Sequence, residues 1–186
     1  MSSQSRNSRK ATQAVHLAFA AALLAAGSAA QAADQPRTFE LTAFSNTASG
    51  YSLVHGNYDL ALRQLAVDGH SFDNVTDVTN RCVAFIVTRK FHEAHDACDA
   101  AVRAAKDEIT TLPVSMSWAR QDYRQYLALA YSNRAVLNWA QNDTAAAQAD
   151  LKKAEAVAPR AEFVARNLTA LQSHAAVAQI AVAPKS

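Results

Sequence analysis

His92, His95 and Cys98 stand three residues apart in a run of helical character, an interval that lines up metal-ligating side chains along one helix stripe. The arrangement goes no further. There is no HExxH pair and no second ligand cluster, so the histidines read as part of a solvated helix face and no metal is expected. Cys82 and Cys98 are the only cysteines. In an oxidising compartment they would suit a disulfide; otherwise they are two small buried apolar side chains, and spacing alone leaves both open. No GxSxG, glycine-rich phosphate loop or CxxC is present, and 4 glycines leave little material for a phosphate cradle. Glu93 and Asp96 share a mixed-charge helix and read as surface, and His55, His70 and His174 stand singly. No catalytic residue and no cofactor is expected, and the chain does not read as an enzyme.

The charge balance locates the body of the protein. The chain has 18 basic and 16 acidic residues, but residues 1–32 hold Arg6, Arg9 and Lys10 and no acid. Without them, 15 basic residues face 16 acidic ones, a net of −1. Such a body lacks the basic face that phosphates require, which excludes a general nucleic-acid binder. Residues 1–32 read as a secretory signal: a positive start, an apolar run from Leu17 to Ala26, then Ala30-Gln31-Ala32 as a cleavage site. The run spans about ten residues where a membrane needs roughly twenty. Cleavage after Ala32 is expected, leaving an exported protein of the bacterial periplasm, or a secreted one, with no membrane insertion.

Composition then sets the class. With 43 alanines against 4 glycines and 4 prolines, closely packed helices are favoured and a β-sandwich is disfavoured. Residues 33–50 form a lead-in in which Phe39, Leu41 and Phe44 suggest a short strand or extended stretch. From Tyr51 the pattern is helical. Turns fall at His55-Gly56-Asn57, Asp68-Gly69-His70, Thr110 to Pro113, and Asn142-Asp143. Asp73 or Thr76 would cap one helix, and Ser115 or Ser117 another running to about Gln141. A last helix from Glu162 to about His174 presents Phe163, Leu168 and Leu171. Residues 175–186 read as a loose, flexible tail.

The helical part repeats itself. Residues 79–101 align without a gap on residues 132–154 at an offset of 53, with Asn80 on Asn133, Arg81 on Arg134, Val83 on Val136, Ala94 on Ala147 and Ala101 on Ala154. A weaker copy at 55–65 puts Tyr58, Ala61 and Leu65 33 residues before Phe91, Ala94 and Cys98. These residues resemble the tetratricopeptide repeat, a helix–turn–helix unit of about 34 residues. In residues 128–161, Tyr131, Ala135, Ala147, Leu151, Ala154 and Pro159 match the pattern, with Thr144 in place of the turn aromatic. Residues 75–108 match at Cys82, Phe91, Ala94, Cys98 and Ala101, without the proline. The resemblance implies an all-α fold: antiparallel helix pairs stacked as a short solenoid of about three repeats over 51–174, closed by a capping helix. Small alanines at facing positions let paired helices approach, and stacking buries what one pair cannot.

The family's first helices line a concave groove. Here that implies Thr76, Thr79, Val83 and Ile86 from one repeat and Leu129, Ser132, Asn133, Val136 and Trp139 from the next. The surface is apolar with hydroxyls and suits an extended peptide or protein segment; self-association through the same surface is the alternative. Whether the groove is open or covered by the N-terminal segment is left undecided. Tyr131-Ser-Asn-Arg-Ala135 is similar to the carboxylate-clamp members, but the positions that would carry basic residues are Phe163 and Asn167, with Arg166 one residue away. Asn80, Asn133 and Asn167 recur at one repeat position and read best as structural residues bonding to nearby backbone. The register also places Cys82 and Cys98 opposite one another across a turn near Arg89-Lys90. Together with export, that favours a disulfide.

Overall fold

The computed structural model describes residues 13–15, 38–67 and 74–182, with side chains over 38–66 and 74–174. The expected leader falls outside this range except for Gln13–Val15, and so does the break at Asp68-Gly69-His70. Among the described residues the fold is all-helical apart from two three-residue strands, β1 (Gln13–Val15) and β2 (Leu41–Ala43). The helices are α1 (Ala48–Val54), α2 (Tyr58–Val67), α3 (Val75–Val87), α4 (Phe91–Thr111), α5 (Ser117–Ala140), α6 (Thr144–Val157) and α7 (Glu162–Val182). Each packs against its neighbour in sequence, and α3 also meets α5, as α5 meets α7.

Three of the turns are the same turn. After α1, Gly56 N–H bonds Leu53 C=O and Asn57 N–H bonds Ser52 C=O. After α3, Arg89 and Lys90 bond Ile86 and Phe85 in the same way, and after α5, Asn142 and Asp143 bond Trp139 and Asn138. This paired closure satisfies the last carbonyls of a helix and needs a left-handed residue at its centre. Gly56, Arg89 and Asn142 have φ of 75°, 59° and 66°. They are 33 and 53 residues apart, the offsets at which the sequence repeats.

The packing follows the same period. Ala61, Ala94 and Ala147 are each fully buried, as are Ala101 and Ala154. Cys82 and Cys98 form a disulfide between α3 and α4, with Cα atoms 4.7 Å apart. The corresponding Ala135 and Leu151 are both fully buried. Beside them, Arg134 on α5 grips Asp150 on α6 at 2.8 and 2.9 Å and reaches Asp99 on α4 at 2.6 Å, tying three helices together. These bonds hold the Arg134 guanidinium charged, raising its pKa despite partial burial.

Several boundaries differ from expectation. Helix α1 starts at Ala48, inside the expected lead-in, because the Thr47 hydroxyl caps it by accepting from Gly50 N–H at 3.0 Å. Helix α3 is capped by Asn74, not Asp73 or Thr76; the Asn74 side chain accepts from both the N–H and the hydroxyl of Thr76. Helix α7 continues to Val182, where a loose tail was expected from residue 175. Four of those eight residues are alanine, the strongest helix former, and none is glycine or proline.

Candidate functional site

Residues 39–44 run across α3, α5 and α7, and every second residue is held by an asparagine. Glu40 N–H donates to Asn167 Oδ1 at 2.7 Å, and Asn167 Nδ2 donates to Glu40 C=O at 2.9 Å. Thr42 makes the same two bonds with Asn133, at 3.0 and 2.8 Å. Phe44 makes them with Asn80, at 2.8 and 3.2 Å. A carboxamide is both donor and acceptor, so each asparagine replaces one residue of a neighbouring strand. The requirement to meet an N–H with oxygen and a C=O with nitrogen fixes the orientation of all three amides.

The spacing follows from the helices. Alternate residues of a strand lie about 6.7 Å apart, and packed helix axes about 8–10 Å. Side chains converging from adjacent helices make up the difference. Asn80, Asn133 and Asn167 are each 1% exposed or less, and asparagine in a helix interior is less favourable than alanine. Two bonds to buried backbone at each position offset that cost.

Side chains fix the ends of the segment. Phe39 packs on Trp139 with centroids 4.4 Å apart and stacks on His174 at 5.7 Å. The Glu40 carboxylate, 2% exposed, is gripped by Nε and Nη2 of Arg166, which also reaches Glu162. Hydrogen bonding to Glu40 is the main reason the Arg166 pKa rises. Phe44 meets Tyr126 edge-on at 4.8 Å, and burial pushes the Tyr126 phenol up. Helix α1 closes against this end, where a Cβ on Gly50 would overlap the Phe44 carbonyl and crowd Asn80. A cleft of about 260 Å³ beside the segment is lined by Glu40, Tyr126, Leu129, Phe163 and Arg166, among others.

The expected groove residues mostly line this channel. Val83, Ile86 and Val136 share a core cluster with Phe39, Leu41 and Ala43. Ser132 accepts from Asn167 Nδ2 at 2.9 Å, Thr79 is buried on α3, and Leu129 borders the cleft. Trp139 and Asn133 touch the segment directly. Thr76 stands apart at the start of α3, bonded to its cap. Residues 39–44 pack over these side chains.

Asn80, Asn167, Arg166, His174 and Glu40 were absent from the expected groove set. The asparagine recurrence at 53 and 34 residues was the visible signal, and its backbone-bonding reading fits, but the backbone lies far off in sequence. His92 and His95 are exposed on α4, and the Cys98 sulfur is committed to Cys82. No protein-family model, no curated protein and no solved structure matches the chain.

Proposed function

We propose that the protein is an exported, tetratricopeptide-like interaction scaffold of the bacterial periplasm, whose groove holds extended main chain of a peptide or protein segment. Three identical turns at the repeat offsets and the buried alanines between paired helices support the solenoid reading. The Cys82–Cys98 bond suits an oxidising compartment. Among the described residues no helix is long and apolar enough to cross a membrane. The observation that carries the binding reading is the asparagine series. It recognises N–H and C=O groups that every peptide possesses, while Trp139, His174 and Arg166 select the side chains beside them.

In this reading residues 39–44 are the resident ligand and a partner segment competes for the same rungs. The tether to α1 is short, so the effective concentration of the resident segment is on the order of millimolar. The experiment therefore weakens it from its own side. Thr42→Pro removes the N–H that Asn133 accepts and should free the groove. A labelled peptide of residues 36–46 should then bind the Thr42→Pro chain in the micromolar range, and Thr42→Pro combined with Asn133→Ala should bind at least tenfold more weakly. A folded Thr42→Pro chain that ignores the peptide at millimolar concentration refutes the proposal. Self-association is the second reading. Val114, Met116 and Trp118, exposed at 83%, 42% and 70% around the α4–α5 turn, favour it. Sedimentation across protein concentrations tests it: a constant mass rejects it.

A further inference from the structure

We propose that the outer edge of β2 is a strand-addition site which, once residues 1–32 are removed, accepts an extended segment of a partner protein antiparallel to β2. The proposal rests on the export reading above and adds the surface that the partner meets while residues 39–44 stay in the groove.

In an extended chain the N–H and C=O of one residue point to one side and those of the next residue to the other. Glu40, Thr42 and Phe44 turn theirs to the asparagines. Leu41 and Ala43 must therefore turn theirs away from the helices. On that side lies β1, antiparallel, with Val15 opposite Leu41, Ala14 opposite Thr42 and Gln13 opposite Ala43. All three β1 residues fall within the expected leader. Its removal strips the pairing from a strand whose other edge is fully bonded. A backbone donor or acceptor left without a partner costs about as much as a lost hydrogen bond.

The edge is also preorganised. Six bonds from asparagines hold the alternate residues, so a partner orders little of this chain on binding. The site is narrow, because α1 contacts both β1 and β2. A single strand fits beside α1. A second copy would have to bring its own α1 and helix array to the same edge, which disfavours a two-fold pairing of β2 strands. The occupant seen is uncharged and carries alanine at its centre. The partner is accordingly a neutral extended segment with a small residue opposite Thr42, recognised through its main chain.

Residue-resolved amide exchange on the exported protein and on the full chain tests this. In the exported form, Glu40, Thr42 and Phe44 should stay protected while Leu41 and Ala43 exchange roughly 100-fold faster. The probe is a synthetic peptide of residues 11–17; added in excess, it should slow Leu41 and Ala43, and the same peptide with Val15→Pro should not. The proposal is overturned if Leu41 and Ala43 are already slow in the exported form, if the peptide has no effect, or if the proline peptide works equally well. Protection that rises with the protein's own concentration, without peptide, also overturns it and makes a second copy the occupant. Intact mass separates the two readings. If the exported protein retains residues 1–32, the leader reading alone fails, and Val15→Pro in the full chain supplies the open edge: Leu41 and Ala43 should then exchange faster and be slowed by the peptide, and no change there rejects strand addition.

Discussion

Asn133→Ala removes the middle rung while leaving helix α5 intact. Asn133 holds Thr42 by bonds of 3.0 and 2.8 Å, and Thr42 is 3% exposed. Truncation strands one N–H and one C=O in the groove, and each buried unpaired group costs about 1–3 kcal/mol. With the strand still docked the loss would be about 2–6 kcal/mol. Release of residues 39–44 into water caps it, since the outer rungs cannot hold a strand whose undocking is easier than its strain. The expected loss is about 2–3 kcal/mol, which lowers protection of the Thr42 amide roughly 30- to 140-fold at about 1.4 kcal/mol per decade. Glu40 and Phe44, with rungs of their own, should lose less. Asn133→Asp should be worse, because it keeps an acceptor for the N–H but sets a buried carboxylate against the Thr42 carbonyl. Amide exchange and urea unfolding measure the local and global terms separately. An Asn133→Ala protein that loses global stability while Thr42 stays fully protected would refute the reasoning, because Asn133 would then act on helix packing and not on the strand.

Alkylation of the denatured, unreduced protein should find no free thiol, and Cys82→Ser with Cys98→Ser should cost about 3 kcal/mol in urea, as expected for a closed loop of this length. Ala147→Glu forces a carboxylate into a fully buried contact between α5 and α6 and should cost several kcal/mol, on the order of 3–5; an unchanged thermal midpoint would show the packing to be wrong. Gly50→Ala should lower the thermal midpoint and release the Phe44 end of the segment, seen as faster exchange at the Phe44 amide, because its Cβ overlaps the Phe44 carbonyl. Burial, helped by Glu108 and Asp122, raises the phenols of Tyr123 and Tyr126. The fold thus favours the neutral phenols, so their contribution is fully present below a pH of about 10 and is lost as pH rises through the higher folded values. Phenolate absorbance should show part of the 5 tyrosines titrating late in the native protein and normally in urea, and coincident curves would reject it.

The repeat was legible because its signals are local. Gly56 and Asn142 are ordinary left-handed residues, and even Arg89, which is not, sat at the position the 33- and 53-residue offsets required. The alanines at 61, 94 and 147 and the facing cysteines follow from the same register. The occupant of the groove was not legible. Hydrophobic pattern reports that Val83 and Val136 are buried; it does not report what buries them. The bonds that answer this join residues 36, 91 and 127 positions apart. Residues 39–44 are too few for their alternation to separate a strand from an extended lead-in. Asn74 was passed over as a cap because Asp73 and Thr76 flank it with equally suitable side chains.

The groove combines two kinds of specificity, and separating them shows why it needs both. Asparagine rungs set the phase of the strand. A slip of one residue would either turn the Leu41 and Ala43 backbone away from the rungs or, with the chain rotated to keep the bonds, exchange the faces and send Glu40 towards the cluster that now holds Phe39, Leu41 and Ala43. The rungs cannot prevent a slip of two, since every second residue offers them the same N–H and C=O. That slip is opposed by the ends: it would part Glu40 from Arg166 and Phe39 from Trp139 and His174. Main-chain bonds therefore decide that an extended segment lies here, and three side-chain contacts at one end decide which one. If the proposed binding reading holds, a competing segment has to satisfy the second condition as well as the first, and an acid following an aromatic residue is the feature that reading predicts for it.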